Sequence, residues 1–203
     1  MAGRYNSEKH HRRSIRLKGY DYADQGAYFV TICTWNRECL LGDIINGAMQ
    51  LNEYGEIADV CLKGIPKHFA CVNMDSMIVM PNHVHLILII NDDGNGKERN
   101  SVRRGVFCRG VACYAPTDDI NYYSEISPKR KSLPTIIRSY KSAVTKQINI
   151  LRNHPRMPVW QRNYYEHVIR HEKDLNWIRQ YIINNPFHWG DDENNPINCM
   201  KTD

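Results

Sequence analysis

The chain has 203 residues, 42% of them hydrophobic, enough for one sizeable core in a globular protein. Its net charge is +5, no apolar run approaches a membrane span, and the N-terminus is basic and polar without the apolar stretch of a secretory signal; these features set aside membrane-embedded and secreted classes. Seven scattered cysteines, an odd number with no C-x-x-C pair, predict reduced thiols in a cytoplasmic protein and argue against a disulfide framework or a zinc site.

Residues 1–19 read as a flexible basic arm, with Arg4, Lys9, Arg12, Arg13, Arg16 and Lys18 against Glu8 alone. Tyr28-Phe29-Val30-Thr31-Ile32-Cys33-Thr34 is β-branched and aromatic and predicts a strand. Residues 38–45 and 48–51 flank Asn46-Gly47, a strong hairpin signal. Asn52 is placed to cap a helix reaching about Lys67, with Tyr54, Ile57, Ala58, Cys61 and Ile65 as its apolar stripe. Residues 74–80 and 83–90 predict two strands joined through Pro81-Asn82, and residues 91–131 a long polar insertion. A helix is expected over 133–151, its buried stripe being Ile136, Ile137, Tyr140, Val144, Ile148 and Leu151, with Arg138, Lys141 and Thr145 opposite. A strand over 159–169 mixes Trp160, Arg162, Tyr164, Tyr165 and His167, and a last helix over 172–185 ends at Pro186. This order predicts one α+β domain with an antiparallel sheet and helices packed on one face. The expected organisation is the arm over 1–19, a domain over 20–190 interrupted at about 92–131, and a polar tail over 191–203.

Three features carry chemistry. In Met80-Pro81-Asn82-His83-Val84-His85-Leu86 the two histidines are two apart on a strand, so their imidazoles share one face and suit one metal ion. On the last helix, Tyr181 and Asn185 are four apart and therefore neighbours; a phenol is a candidate nucleophile and an amide oxygen a candidate ligand. Finally, no acidic residue occurs from 126 to 165, a stretch holding nine lysines and arginines from Lys129 to Arg162. Such segregated charge suits a polyanion, nucleic acid first.

The His-Val-His strand resembles the HUH motif (His, hydrophobic, His) of the single-tyrosine transposases. Arg13-Ser14-Ile15-Arg16-Leu17, the Tyr28–Thr34 run, Tyr140-Lys141-Ser142-Ala143-Val144-Thr145-Lys146, Val159-Trp160-Gln161-Arg162-Asn163-Tyr164-Tyr165-Glu166-His167 and Tyr181-Ile182-Ile183-Asn184-Asn185-Pro186 resemble the branch called REP-associated tyrosine transposases. The resemblance implies a ferredoxin-like (RRM-like) core with the HUH strand central. It implies Tyr181 as nucleophile, with Tyr140, Tyr164 and Tyr165 as runners-up, and a divalent cation, Mg²⁺ or Mn²⁺, on His83, His85 and Asn185. It further implies attack on single-stranded DNA beside a REP-like hairpin, giving a 5′-phosphotyrosine and a free 3′-OH, in a monomer or homodimer. Arg12, Arg13, Arg16, Lys18, Arg138, Lys141 and Arg162 are the expected DNA contacts, and His167 is a candidate for assisting the phenol. Two other classes fit part of the pattern. A non-catalytic, sequence-specific nucleic-acid binder needs neither the histidines nor Tyr181, and a phosphodiesterase using water needs the metal but forms no covalent adduct.

Overall fold

The computed structural model describes residues 20–91 and 131–199. The expected basic arm and residues 92–130 of the expected insertion lie outside them.

The core strands are β1 (Gly26–Cys33), β4 (Val72–Val79), β5 (His83–Ile90) and β6 (Tyr165–Ile169), in the order β4-β5-β1-β6 with every neighbouring pair antiparallel. Between β1 and β4 come the hairpin β2 (Gly42–Ile45) and β3 (Ala48–Leu51), then α1 (Glu53–Lys63) and the single turn α2 (Ile65–His68). Helix α3 (Leu133–Leu151) links β5 to β6, α4 (Glu172–Asn184) follows β6, and a short α5 (Pro196–Cys199) closes the described chain. With the hairpin set aside, this is the β-α-β-β-α-β ferredoxin-like arrangement, and the histidine strand β5 is central.

Local chemistry accounts for the connections. Asn46 and Gly47 sit at φ 54° and 74°, the positive values that a tight two-residue hairpin turn requires. Asn52 caps α1, its Oδ1 accepting the N–H groups of Tyr54 and Gly55 at 3.0 Å each. A side chain at Gly55 would stand 2.1 Å from the Leu41 carbonyl oxygen, so only glycine admits this approach of helix to hairpin. The helix expected to reach Lys67 stops at Lys63, and Gly64 separates it from α2. Leu62, absent from the expected stripe, is fully buried, while Leu151 is exposed where α3 ends and the chain turns.

The strand expected over 159–169 is shorter. Only residues 165–169 pair with β1, while Trp160 makes an isolated bridge to Thr34. Between them, the Lys141 ammonium donates to the carbonyls of Gln161, Arg162 and Asn163. Those carbonyls accept from a partly buried cation and lie outside the ladder.

Alternation along β1 and β5 divides the sheet into two environments. Tyr28, Val30, Ile32, Val84, Leu86, Leu88 and Ile90 join α1 and α3 in the main core. The intervening Phe29 and Ile87 join Ile169, Ile178 and Ile182 in a smaller one under α4. Packing on one face thus holds for α1 and α3, whereas α4 covers the other. The reason lies in β5, buried along almost its whole length on both sides, which requires a cover on each face. Helix α4 is fastened at the edge by Arg179, whose Nε and Nη2 donate to the two Asp75 carboxylate oxygens at 2.7 and 2.6 Å. A register shift between Met74 and Ser76 brackets Asp75.

Candidate functional site

His83 and His85 lie on the α4 face of β5, ring centroids 4.4 Å apart, 0% and 1% exposed. Both rings have a settled partner on Nδ1. Asn82 spends both Nδ2 hydrogens on the carbonyls of Arg37 and Asn194, at 2.9 and 2.7 Å. Its Oδ1 is therefore the atom 2.9 Å from His83 Nδ1, which must donate. The tautomer follows: His83 Nε2 carries a lone pair, and it is buried without a hydrogen-bond partner. His85 Nδ1 is 2.9 Å from Thr31 Oγ1, and its Nε2 faces the Tyr181 hydroxyl at 3.4 Å. Burial lowers both imidazoles' pKa values, that of His83 to about 4, so both are neutral and fit to act as ligands near pH 7.

Helix α4 brings the other groups. Asn185, at its C-terminal cap, is 3% exposed. Its Nδ2 donates to Asp192 Oδ2 at 3.0 Å. A carboxylate only accepts, so the amide orientation is determined, and Asn185 Oδ1 is left buried without a partner. Asp192 Oδ1 accepts the Asn194 N–H at 2.6 Å. One ligand atom from each of His83, His85 and Asp192 lies within 4.8 Å of the others. Two buried acceptors without donors beside a carboxylate form a site that a cation satisfies and a neutral core does not. His83, His85 and Asp192 are able to hold a metal ion, and Asn185, which lines the same cleft as His85 and Asp192, carries a buried amide oxygen without a partner.

Residues 191–203 were expected to form a tail, yet Asp192, Asn194 and Asn195 are buried, and Trp189 lies 5.9 Å from the His83 ring. Asp192 and Asn82 belong to this cluster, and reading the sequence misses both. Asp192 stands in the acidic run Asp191-Asp192-Glu193, which looks like a solvated end. Asn82 stands within residues 80–86, and its position beside His83, a candidate ligand, is the available signal.

The site opens into a cleft of about 1210 Å³ lined by Phe29, Thr31, His85, Trp177, Tyr181 and Asn185, among others. Tyr181 is half-buried there. Burial, then the charges of Asp192 and Glu193, push its phenol up to about 12. Tyr164, Tyr165 and His167 also line the cleft. Tyr140 does not: it lies in the main core on the opposite face, its hydroxyl on the Ala58 carbonyl at 3.3 Å. Exposed Arg138 and Arg162 line a second groove of about 510 Å³ with Lys141 and Lys146, and Gln161 lines both groove and cleft. Lys141, expected to contact DNA, is turned to the backbone of 161–163, and burial lowers its pKa to about 8. Arg12, Arg13, Arg16 and Lys18 lie outside the described residues, and among the described residues no helix is long and apolar enough to cross a membrane.

No protein-family model matches the chain. Two solved structures are similar to it at 17% identity. One, a REP-associated tyrosine transposase bound to a REP hairpin, overlaps 88% of this chain and 73% of its own at a TM-score of 0.47. The other, a candidate transposase from Deinococcus radiodurans, overlaps 83% and 97% at 0.42. An uncharacterized protein of Haemophilus influenzae is 40% identical over 193 residues, covering 95% of this chain and 98% of the relative. With that identity across nearly the whole of both, the chain belongs to the family of this Haemophilus influenzae protein.

Proposed function

We propose that this protein is a single-tyrosine HUH transposase, a nuclease and strand transferase for single-stranded DNA beside REP-like hairpins. The observation that carries the reading is the Tyr181 hydroxyl 3.4 Å from His85 Nε2, in a pocket where His83 Nε2 and Asn185 Oδ1 have no protein partner. A helix-borne phenol is thereby held beside a cation-ready cluster at the inner end of an open cleft.

His83, His85 and Asn185 are the proposed ligands, with Asp192 holding the Asn185 amide in the ligating orientation. A divalent cation held there, Mg²⁺ or Mn²⁺, would supply charge withdrawal from the scissile phosphate. Two imidazoles make the donor set softer than a typical Mg²⁺ site, favouring Mn²⁺. His85 Nε2 cannot serve both the cation and Tyr181, so the phenol gives up that hydrogen bond when the site is loaded. Tyr181 attacks phosphorus, the bond to O3′ breaks, and the products are a 5′-phosphotyrosine and a 3′-OH. The ester keeps the energy of the phosphodiester, so a second 3′-OH reverses the step and joins a new strand. Arg138 and Arg162 are proposed to hold phosphates along the groove that meets the cleft at Gln161, with Arg12, Arg13, Arg16 and Lys18 adding to them. Lys141 shapes that groove by pinning residues 161–163 and adds its charge to it.

Labelled single-stranded hairpin DNA with an unpaired flank, mixed with protein and Mn²⁺ and run on a denaturing gel, tests the reading. A covalent band that disappears in Tyr181→Phe is expected. Cleavage without the band means a hydrolase that uses water, and binding with neither means a non-catalytic DNA binder.

A further inference from the structure

Trp177, Tyr181 and Asn185 stand at successive four-residue steps on one edge of α4. Burial rises along that edge: Trp177 is 69% exposed, Tyr181 half-buried and Asn185 3% exposed. The indole lies parallel to the Tyr181 ring and offset from it, centroids 5.9 Å apart and planes 10° from parallel. Beyond Tyr181 the rings continue to His85 at 5.2 Å and to His83. Trp177 is thus the outermost ring of a series running from solvent to the His83–His85 pair. The two rings are parallel but offset, most of the indole stays in water, and the residue borders the cleft.

The fold does not need this indole for its core. Ile178 and Ile182 bury the inner side of α4, and Arg179 with Asp75 fastens its edge. A large flat apolar ring left mostly in water, parallel to the ring of the proposed nucleophile, is a stacking surface at a defined place. The cleft that Trp177 borders carries Arg37 beside Asp174, Asp191, Asp192 and Glu193, whereas the groove that meets it at Gln161 carries Arg138, Lys146 and Arg162; a polyanion bearing flat rings would lay its phosphates along that groove and an unpaired ring on the indole. We propose that Trp177 stacks the unpaired nucleobase next to the scissile phosphate, on its 3′ side, so that the strand enters with this phosphate against Tyr181. The inference rests on Tyr181 as the nucleophile. The nucleotide 3′ of the break stays esterified to Tyr181, so the same stack retains it until a 3′-OH arrives. Every base has a π-face, so the platform tolerates any base while enforcing single-strandedness.

The test uses the full chain carrying Tyr181→Phe, which keeps the ring and cannot form the ester. Hairpin oligonucleotides carry 2-aminopurine at each position of the unpaired flank in turn. Anisotropy reports binding and 2-aminopurine fluorescence reports stacking. The expected result is strong quenching at one flank position, lost on Trp177→Ala together with roughly tenfold of the affinity, and largely restored by Trp177→Phe. Quenching and affinity unchanged in Trp177→Ala, or no binding of the single-stranded flank, overturn the inference. Should quenching depend on Trp177 while unsubstituted protein forms no covalent band on the same DNA, the platform stands and the nucleophile assignment fails.

Discussion

Along β5, Val84, Leu86, Leu88 and Ile90 face α1 and α3 in an apolar core, while His83, His85 and Ile87 face α4 in a thinner one whose deep end is polar. The same eight residues serve both faces through the period of two. Each face also holds a tyrosine from a helix. Tyr140 is enclosed and satisfied by a backbone carbonyl, whereas Tyr181 is half-open and faces an imidazole. The difference teaches where unpartnered polar atoms are sustainable. A thick apolar layer would make His83 Nε2 and Asn185 Oδ1 costly with nothing to relieve them, whereas at the foot of a cleft an entering cation relieves both.

Breaking the contrast at its strongest point means Leu86→Ala. This fully buried side chain should cost about 2–5 kcal/mol of unfolding free energy. Chemical denaturation reads the loss, and Mn²⁺ binding by the surviving folded fraction should be unchanged. On the other face, Asp192→Ala frees the Asn185 amide to rotate. Loss of such an orienting partner should weaken Mn²⁺ binding about 10- to 100-fold by titration calorimetry. Undiminished affinity would mean that the amide orientation does not depend on Asp192.

Acid sharpens the comparison. The folded pKa of His83 is about 4, below its ordinary 6.5, because burial disfavours the charged ring. Above pH 6.5 both folded and unfolded chains hold it neutral, and the group contributes no slope. Below that, the unfolded chain takes a proton that the folded chain refuses, so stability falls by about 1.4 kcal/mol per pH unit toward pH 4. In chelator, denaturation midpoints from pH 7 to 4.5 should show this fall, and His83→Gln should remove its share of the slope.

The smallest effects separate the two tyrosines. Tyr140→Phe removes the hydroxyl's bond to the Ala58 carbonyl, which keeps its partner within α1, and should cost about 1 kcal/mol with Mn²⁺ binding intact. Tyr181→Phe should leave the thermal midpoint nearly unchanged, because its hydroxyl makes only a long contact at the edge of a cleft.

Much of the molecule was determined by sequence alone. The period of two put His83 and His85 on one face of β5, Asn46-Gly47 turned the hairpin, Asn52 capped α1, and the apolar stripe of α3 placed the 133–151 helix. All of these are contacts within a few residues, which propensity and periodicity describe. Tertiary structure decided the rest. It laid α4 against the histidine face and left Tyr140 on the other. It drew Lys141 onto the carbonyls of residues 161–163, ahead of a strand that starts only at Tyr165, and it folded residues 189–195 back over His83. Asp192 and Asn185 are only seven residues apart, but their hydrogen bond forms where the chain doubles back after α4. An acidic run and a polar end have the same composition whether they face water or a buried imidazole. Only the three-dimensional path, which carried the carboxylate to within 4.8 Å of two histidines 107 and 109 residues earlier in the chain, made Asp192 part of the site.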